Sequence, residues 1–128
     1  MSKKVLIIDD EEDVKEIAQM GLEMAADWDV ITANSGKAGL DLAASSQPEV
    51  ILLDLMMPDW DGKETLKQLK ANQNTANIPV ILMTAKTKSA IASELTSLDI
   101  VGIITKPFRP LQLPKQIAEI LSQVEASQ

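Results

Sequence analysis

The 128-residue sequence contains no cysteine, no histidine and no tyrosine, and the first two absences each remove a class of chemistry. Without cysteine the chain has no disulfide framework and no thiol nucleophile. Without histidine it lacks the commonest general base and the commonest transition-metal ligand. Any metal must therefore be held by oxygen atoms, which favours Mg²⁺, Mn²⁺ or Ca²⁺.

Aromatic residues and long apolar runs are also scarce. The only aromatic side chains are Trp28, Trp60 and Phe108, so the core must be aliphatic. Nineteen acidic residues against 12 basic ones give a net charge of -7, which argues against direct binding to nucleic acid. No apolar run approaches the length of a membrane span, and the four apolar residues after Lys3 and Lys4 are too few for a secretion signal. We therefore expect no membrane insertion and a cytoplasmic location.

Five short apolar runs alternate with stretches of helical periodicity. The runs at 5–8, 50–54, 79–84 and 101–105 predict buried strands, and the more polar run at 30–33 predicts a strand at or near an edge. Five helices are predicted. The first begins near residue 13, and the second spans 36–45 with Ala38 and Leu42 facing the core. The third follows Asp61, the fourth spans about 88–98, and the fifth contains 113–124. The alternation predicts a single doubly wound α/β domain with a parallel sheet and helices on both faces.

Polar residues follow four of the five predicted strands. They are Asp9 and Asp10 after the first strand, Asp54 at the end of the third, Thr84 at the end of the fourth and Lys106 after the fifth. Because the carboxyl ends of parallel strands share one edge, we expect these side chains to form one pocket. Its three carboxylates would repel one another unless Lys106 or a hard divalent cation lay among them. Such a carboxylate can attack phosphorus, while a lysine, a hydroxyl and a metal stabilise the phosphoryl oxygens.

Each of these residues also has an ordinary structural explanation. The acidic run at 9–13 suits the positive end of a helix, Asp54 suits a turn, Thr84 suits a strand, and Lys106 suits the surface. The sequence would contain no functional site only if all of these structural explanations were correct together, for residues at the same edge of the sheet. Two other phosphate-binding motifs are missing, because the sequence has neither a Walker loop nor a glycine-rich turn after the first strand.

The residues at the strand ends resemble those of the receiver domain of bacterial two-component response regulators. The matching motifs are the acidic residues 9–11, the run Leu-Leu-Asp-Leu-Met-Met-Pro-Asp-Trp-Asp-Gly at 52–62, Thr84-Ala85, and Lys106-Pro107-Phe108. The resemblance covers essentially the whole chain. It implies a flavodoxin-like strand order 2-1-3-4-5 in one receiver domain over 1–128, and we expect no output domain.

The resemblance further implies that Asp54 accepts a phosphoryl group from the phosphohistidine of a sensor histidine kinase or a histidine phosphotransfer protein. The implied ligands of Mg²⁺, or possibly Mn²⁺, are Asp9 through bound water, Asp10, Asp54 and the backbone carbonyl of Met56. Lys106 would contact a phosphoryl oxygen, and its bond to Pro107 is expected to be cis. Chemistry would be limited to phosphorylation and dephosphorylation of the chain itself, so we expect no enzyme acting on a separate metabolite.

In such domains phosphorylation is passed on to partner proteins by a small rearrangement of the surface. Thr84 would move to bond the phosphoryl group and shift the surface of helix four, strand five and helix five, where a downstream protein binds. The family usually has Tyr or Phe at the position of Ile103, and an aliphatic side chain cannot swing as an aromatic ring does. Met56 and Lys86 flank the pocket, and we predict that they control how long the acyl phosphate survives attack by water.

Two other functions remain open from the sequence. The first is a scaffolding domain of the same fold that is never phosphorylated, which nothing in the sequence excludes. The second is a phosphohydrolase of the haloacid dehalogenase type, which also uses an aspartate at a strand end. That family requires a second acid two residues after the nucleophile, where this chain has Met56.

Overall fold

The computed structural model describes residues 3–26, 28–55, 57, 60–85 and 99–126. Five strands form one parallel sheet: β1 (Lys3–Ile8), β2 (Trp28–Ala33), β3 (Val50–Asp54), β4 (Val80–Thr84) and β5 (Gly102–Thr105). The strand order is β2-β1-β3-β4-β5. The helices are α1 (Glu12–Ala26), α2 (Gly36–Ser46), α3 (Gly62–Ala71) and a C-terminal helix (Leu113–Ala126), which a 3-10 turn (Pro110–Gln112) precedes. The predicted α/β fold and strand order are confirmed, and the helix predicted at 88–98 lies outside the described residues.

The three central strands are apolar on both faces, as a buried parallel sheet requires. All five residues of β3 and all five of β4 are buried. β2 lies at the edge, as predicted, and its middle residues are half-buried. It begins two residues earlier than predicted, because Trp28 is buried and pairs with Lys3 of β1.

The alternation of side chains along each strand divides the core into two clusters. Ile51 and Leu53 of β3 belong to the first cluster, which packs against α2 and α3. Val50 and Leu52 belong to the second cluster, which packs against α1 and the C-terminal helix. A residue at the end of a strand can therefore be assigned to one face of the sheet by its position relative to these side chains.

Helix α2 faces the core with small residues. Its buried residues are Gly36, Gly39 and Ala43. Leu42 is half-buried and packs against the first cluster, as predicted, but the prediction for Ala38 is wrong, because Ala38 is exposed. The helix approaches the sheet so closely at Gly39 that a Cβ there would clash with Cδ1 of Ile8. At Gly39 the helix backbone itself therefore packs against the sheet, at a position where the other helices have an apolar side chain.

Among the described residues, no helix is both long enough and apolar enough to cross a bilayer.

Candidate functional site

Asp9 and Asp54 are brought together by the pairing of β1 with β3. The two strands run parallel with Ile8 opposite Leu53, so the next residue of each chain segment stands at the same edge of the sheet. By alternation, both aspartates continue the face that packs against α1 and the C-terminal helix. Asp9 is fully buried and Asp54 is 3% exposed. The sheet therefore holds two buried carboxylates side by side, which demands a counter-charge.

Lys106 provides that counter-charge from the loop after β5. Its Nζ donates to Asp9 Oδ2 at 2.9 Å and to Asp54 Oδ1 at 3.2 Å. Its backbone N–H donates to the carbonyl of Thr84 at 2.8 Å, and the peptide bond to Pro107 is cis, as predicted. Burial lowers the pKa of Lys106, but the hydrogen bond to Asp9 and the charges of both aspartates outweigh it, so the pKa is raised above 10.5. The ammonium is therefore charged at neutral pH.

A third carboxylate joins the two aspartates. Carboxylate oxygens of Asp9, Glu11 and Asp54 all lie within 4.8 Å of one another. The turn that brings Glu11 there is fixed by its backbone N–H, which donates to Asp9 Oδ1 at 2.9 Å. Asp10 is exposed and does not belong to this group, so its predicted role as a magnesium ligand stays a prediction.

Sequence reasoning gave Glu11 no role at the site. The acidic run at 9–13 looks uniform as a sequence, and which side chains turn inward depends on the path of the backbone before α1 begins. Alternation was the available signal, because continuing the strand pattern past β1 puts Asp9 and Glu11 on one side and Asp10 on the other.

The three carboxylates fit a hard divalent cation, because such cations prefer oxygen ligands and one oxygen of each residue lies within 4.8 Å of the others. The fourth predicted ligand, the backbone carbonyl of Met56, lies outside the described residues, and so does Lys86. Their predicted roles therefore stay predictions.

Thr84 and Ile103 lie on the other face of the sheet. Thr84 follows Met83, which pairs with Asp54, and its side chain is buried. Alternation places Thr84 on the same face as Leu82, and Ile103 pairs with Leu82 and packs against the first core cluster. Thr84 and Ile103 therefore lie on the same face of adjacent strands, with Thr84 opposite Thr105 and Ile103 opposite Leu82. The fourth helix, predicted at 88–98, lies outside the described residues.

The loop after β3 returns tightly to the backbone of the strand. The N–H of Gly62 donates to the carbonyl of Leu55 at 2.9 Å, and a Cβ on Gly62 would lie 2.7 Å from the carbonyl oxygen of Asp54. Asp61 caps α3 by accepting a hydrogen bond from Glu64 N at 2.8 Å, and the helix follows Asp61 as predicted. The start of α3 thus packs directly against the backbone at the end of β3, next to Asp54.

An open pocket of about 340 Å³ lies beside the carboxylates, between α1 and the loop after β5. Glu11 and Lys106 line it on the side of the site, and Ile17 and Phe108 give it an apolar wall.

Comparison with known proteins agrees with this geometry. The sequence profile of the family described as response regulator receiver domain matches residues 5–118. The chain belongs to this family. The resemblance seen in the motifs is therefore confirmed, and the chain is a receiver domain of two-component signalling, a class that is generally not enzymatic.

Curated relatives of this receiver domain include transcriptional regulators. It is 37% identical to the alkaline phosphatase synthesis transcriptional regulatory protein PhoP of Bacillus subtilis, over 98% of this chain and 51% of that protein. It is 35% identical to the DNA-binding dual master transcriptional regulator RpaA of Synechocystis, over 96% of this chain and 48% of that protein. The receiver domain thus spans about half the length of the curated relatives it matches.

Solved structures show the same fold. The chemotaxis response regulator CheY4 of Vibrio cholerae superposes with a TM-score of 0.85 at 27% identity, covering 94% of this chain and 99% of that one. The N-terminal domain of a response regulator receiver protein from Methanoculleus marisnigri has a TM-score of 0.72 at 32% identity, covering 92% and 95%.

Proposed function

We propose that a sensor histidine kinase or a histidine phosphotransfer protein phosphorylates this receiver domain on Asp54, with Mg²⁺ as cofactor, and that phosphorylation changes the surface offered to a downstream protein. One observation carries the proposal: the buried Asp54 carboxylate lies 3.2 Å from the Lys106 ammonium and shares the carboxyl edge with Asp9 and Glu11. A carboxylate, an ammonium and further oxygen ligands are the groups that phosphoryl transfer to an aspartate requires.

The hydrogen bonds of Asp9 suit it to a supporting role at the site. Both carboxylate oxygens of Asp9 accept hydrogen bonds, Oδ1 from the N–H of Glu11 and Oδ2 from Lys106. These bonds lower the electron density available for attack on phosphorus, and they hold Asp9 in one orientation. Asp9 is therefore suited to positioning a cation, whereas the assignment of Asp54 as the acceptor follows the family motif at 52–62.

In the transfer step a carboxylate oxygen of Asp54 attacks phosphorus, and the bond from phosphorus to the donor imidazole breaks. The nitrogen keeps the electron pair, and the product is an acyl phosphate. When bound, Mg²⁺ would neutralise charge on the phosphoryl oxygens. Lys106 exchanges its contact with Asp54 for one with a phosphoryl oxygen and keeps its contact with Asp9. In hydrolysis, water attacks phosphorus, the bond from phosphorus to the Asp54 oxygen breaks, and inorganic phosphate leaves. The carboxylate of Asp54 and its original charge are thereby restored.

The switch that we propose begins at Thr84 and passes to Ile103. Both lie on the face of the first core cluster, so movement of the threonine hydroxyl toward the phosphoryl group changes the space next to the isoleucine. Ile103 then reports by a change of packing, since it has no ring to rotate. The predicted partner surface includes β5 and the C-terminal helix. The whole chain carries a net charge of -7, which favours a protein partner over nucleic acid.

The test is phosphorylation by acetyl phosphate, followed by intact-mass spectrometry. The wild type should gain one phosphoryl group only when Mg²⁺ is present, and Asp54→Asn should gain none. Asp29→Asn is the matched control, because Asp29 is an exposed aspartate near the start of β2, at the other end of the sheet. Trp60, half-buried in the loop after β3, should change its fluorescence when Mg²⁺ binds. No adduct on any variant would favour the scaffolding function, and turnover of a soluble phosphate ester would favour the phosphohydrolase.

A further inference from the structure

We propose that this receiver domain forms a weak homodimer through an apolar surface of α1, with a second copy of the chain as the partner that covers it. The surface, called the α1 surface below, consists of Ile17, Met20 and Met24 of α1 and Leu111 of the 3-10 turn before the C-terminal helix. None of these residues belongs to the group of carboxylates at the sheet edge, so the proposal does not depend on phosphorylation of Asp54.

The α1 surface gathers apolar side chains that the fold leaves uncovered. Ile17 is 44% exposed, Met20 58%, Met24 73% and Leu111 65%. In the part of the chain that the structure describes, these four are all of the exposed large hydrophobic side chains. Single exposed apolar residues are ordinary on a folded protein, whereas a contiguous patch marks an interaction site. The position of all four on one surface therefore indicates a protein partner.

The four residues are neighbours because α1 and the 3-10 turn pack directly against each other. The three α1 residues of the surface are spaced three and four positions apart, so they form a stripe along one side of the helix. Gly21 follows Met20 by one position and adjoins this stripe, and a Cβ on Gly21 would clash with the carbonyl group of Pro110. Leu111 is the next residue, so the turn places it alongside the stripe.

Charges of opposite sign flank the stripe. Glu16 and Glu23 are exposed, and each precedes an apolar residue of the stripe by one position. This spacing places both acids along the side of the stripe away from the turn. On the side of the turn, Arg109 and Lys115 are exposed, two residues before Leu111 and four residues after it. An acidic edge, an apolar stripe and a basic edge therefore run side by side.

This order of charges favours a second copy of the chain as the partner. In a symmetric dimer the same surface meets itself. When the twofold axis runs along the stripe, the acidic edge of each copy faces the basic edge of the other, and the apolar stripes meet between them. A twofold axis across the stripe would instead set like charges against each other, which is unfavourable. The charges thus select a dimer in which the two α1 helices run parallel.

The size of the surface predicts a weak dimer. Stable interfaces involve about 20 to 30 residues on each side, far more than the four apolar and four charged residues here. Sedimentation equilibrium of the unphosphorylated chain at about 0.15 M salt, over about 5 to 500 µM protein, covers the range expected for such a complex. The average mass should rise with concentration from 13.9 kDa toward twice that value. Met24→Gln makes the most exposed apolar side chain polar and should raise the dissociation constant about fivefold.

Charge reversal distinguishes a second copy from any other partner. The acid-reversed chain carries Glu16→Lys with Glu23→Lys, and the base-reversed chain carries Arg109→Glu with Lys115→Glu. Each chain alone should dimerise at least about tenfold more weakly than the wild type, because both of its edges then carry the same charge. An equal mixture of the two chains should dimerise again, since opposite charges face each other at both edges of the mixed pair.

Asp41→Lys with Glu49→Lys is the matched control. It makes the same change of charge as the acid-reversed chain, at exposed positions in α2 and just before β3, and should dimerise as the wild type does. Equal weakening in the control and the acid-reversed chain would show an effect of net charge alone and would contradict the proposal. All the substituted positions are exposed, so circular dichroism should show every variant folded.

Three further results would overturn the proposal. A wild-type mass that stays at 13.9 kDa at every concentration would leave the α1 surface to a different protein. A dimer that persists unchanged in Met24→Gln and in both charge-reversed chains would place the interface elsewhere on the molecule. A mixture of the two reversed chains that is no heavier than each chain alone would contradict the pairing of the acidic edge with the basic edge.

Discussion

The ammonium of Lys106 lies 3.2 Å from the carboxylate of Asp54, across the carboxyl edge of the sheet. The side chains are 13% and 4% exposed, so the contact is largely removed from water. The same ammonium holds Asp9 at 2.9 Å. One cation thus stabilises two buried anions, and phosphorylation of Asp54 would add negative charge where this cation already lies.

Removal of this cation should destabilise the fold. We expect Lys106→Met to lower the free energy of unfolding in EDTA by about 3 kcal/mol, because breaking a buried ion pair leaves a carboxylate without its partner. Urea denaturation measures the change, and added Mg²⁺ should restore part of the loss. Lys115→Met, at an exposed position of the C-terminal helix, is the control and should change stability by less than about 0.5 kcal/mol. Equal effects of the two substitutions would contradict the role given to Lys106.

The contribution of Lys106 should persist until strongly alkaline pH. Its pKa in the folded chain is raised above 10.5, so folding favours the protonated ammonium. The stabilisation is then fully present below the unfolded-state pKa and disappears as the pH rises through the folded-state pKa. In EDTA, the difference in unfolding free energy between wild type and Lys106→Met should stay constant between about pH 6 and pH 9 and should shrink above about pH 10.5. A difference that falls between pH 6 and pH 9 would show that another group titrates.

Gly62 should be intolerant of a side chain. The Cβ of Gly62→Ala would lie 2.7 Å from the carbonyl oxygen of Asp54 and 2.7 Å from Cα of Leu55, and backbone atoms cannot move aside cheaply. We expect a loss of about 1 to 3 kcal/mol in unfolding free energy and a lower rate of phosphorylation, because the strand end that carries Asp54 must shift. Thermal unfolding and acetyl phosphate kinetics measure the two effects. A Gly62→Ala variant with unchanged stability and rate would refute this account of the loop.

The sequence specified the strands and their ends well, because continuous apolar runs bounded by polar residues leave few alternatives. β3 has the predicted bounds, and Asp9, Asp54 and Lys106 meet at the edge where parallel strands end. The inner face of α2 was predicted less well, because Gly39 packs by close approach and carries no hydrophobic signal. Glu11 was missed for a different reason. The five acids at 9–13 were interpreted as a helix start, so the alternation of β1 was not continued past Ile8 to separate Asp9 and Glu11 from Asp10.

Met56 offers a test that leaves the acceptor intact. We expect Met56→Ser to change the lifetime of the phosphorylated state without preventing phosphorylation, because a smaller polar side chain two residues after the acceptor alters the access of water to phosphorus. Decay of the phosphorylated protein can be followed by intact-mass spectrometry after the donor is removed. Lys86→Ala, two residues after Thr84 in the sequence, should act in the same way. Lifetimes that match the wild type in both variants would remove these residues from the mechanism.

The most direct test of the central claim is to locate the phosphoryl group among the acidic residues at the sheet edge. The phosphorylated chain can be reduced with borohydride, which converts an aspartyl phosphate into homoserine, and then digested and sequenced by tandem mass spectrometry. The structure predicts homoserine at residue 54 and unmodified residues at Asp9, Asp10 and Glu11. Homoserine at Asp9 or Asp10, a modified Glu11, or no modification despite bound Mg²⁺ would contradict the assignment of Asp54 as the phosphoacceptor.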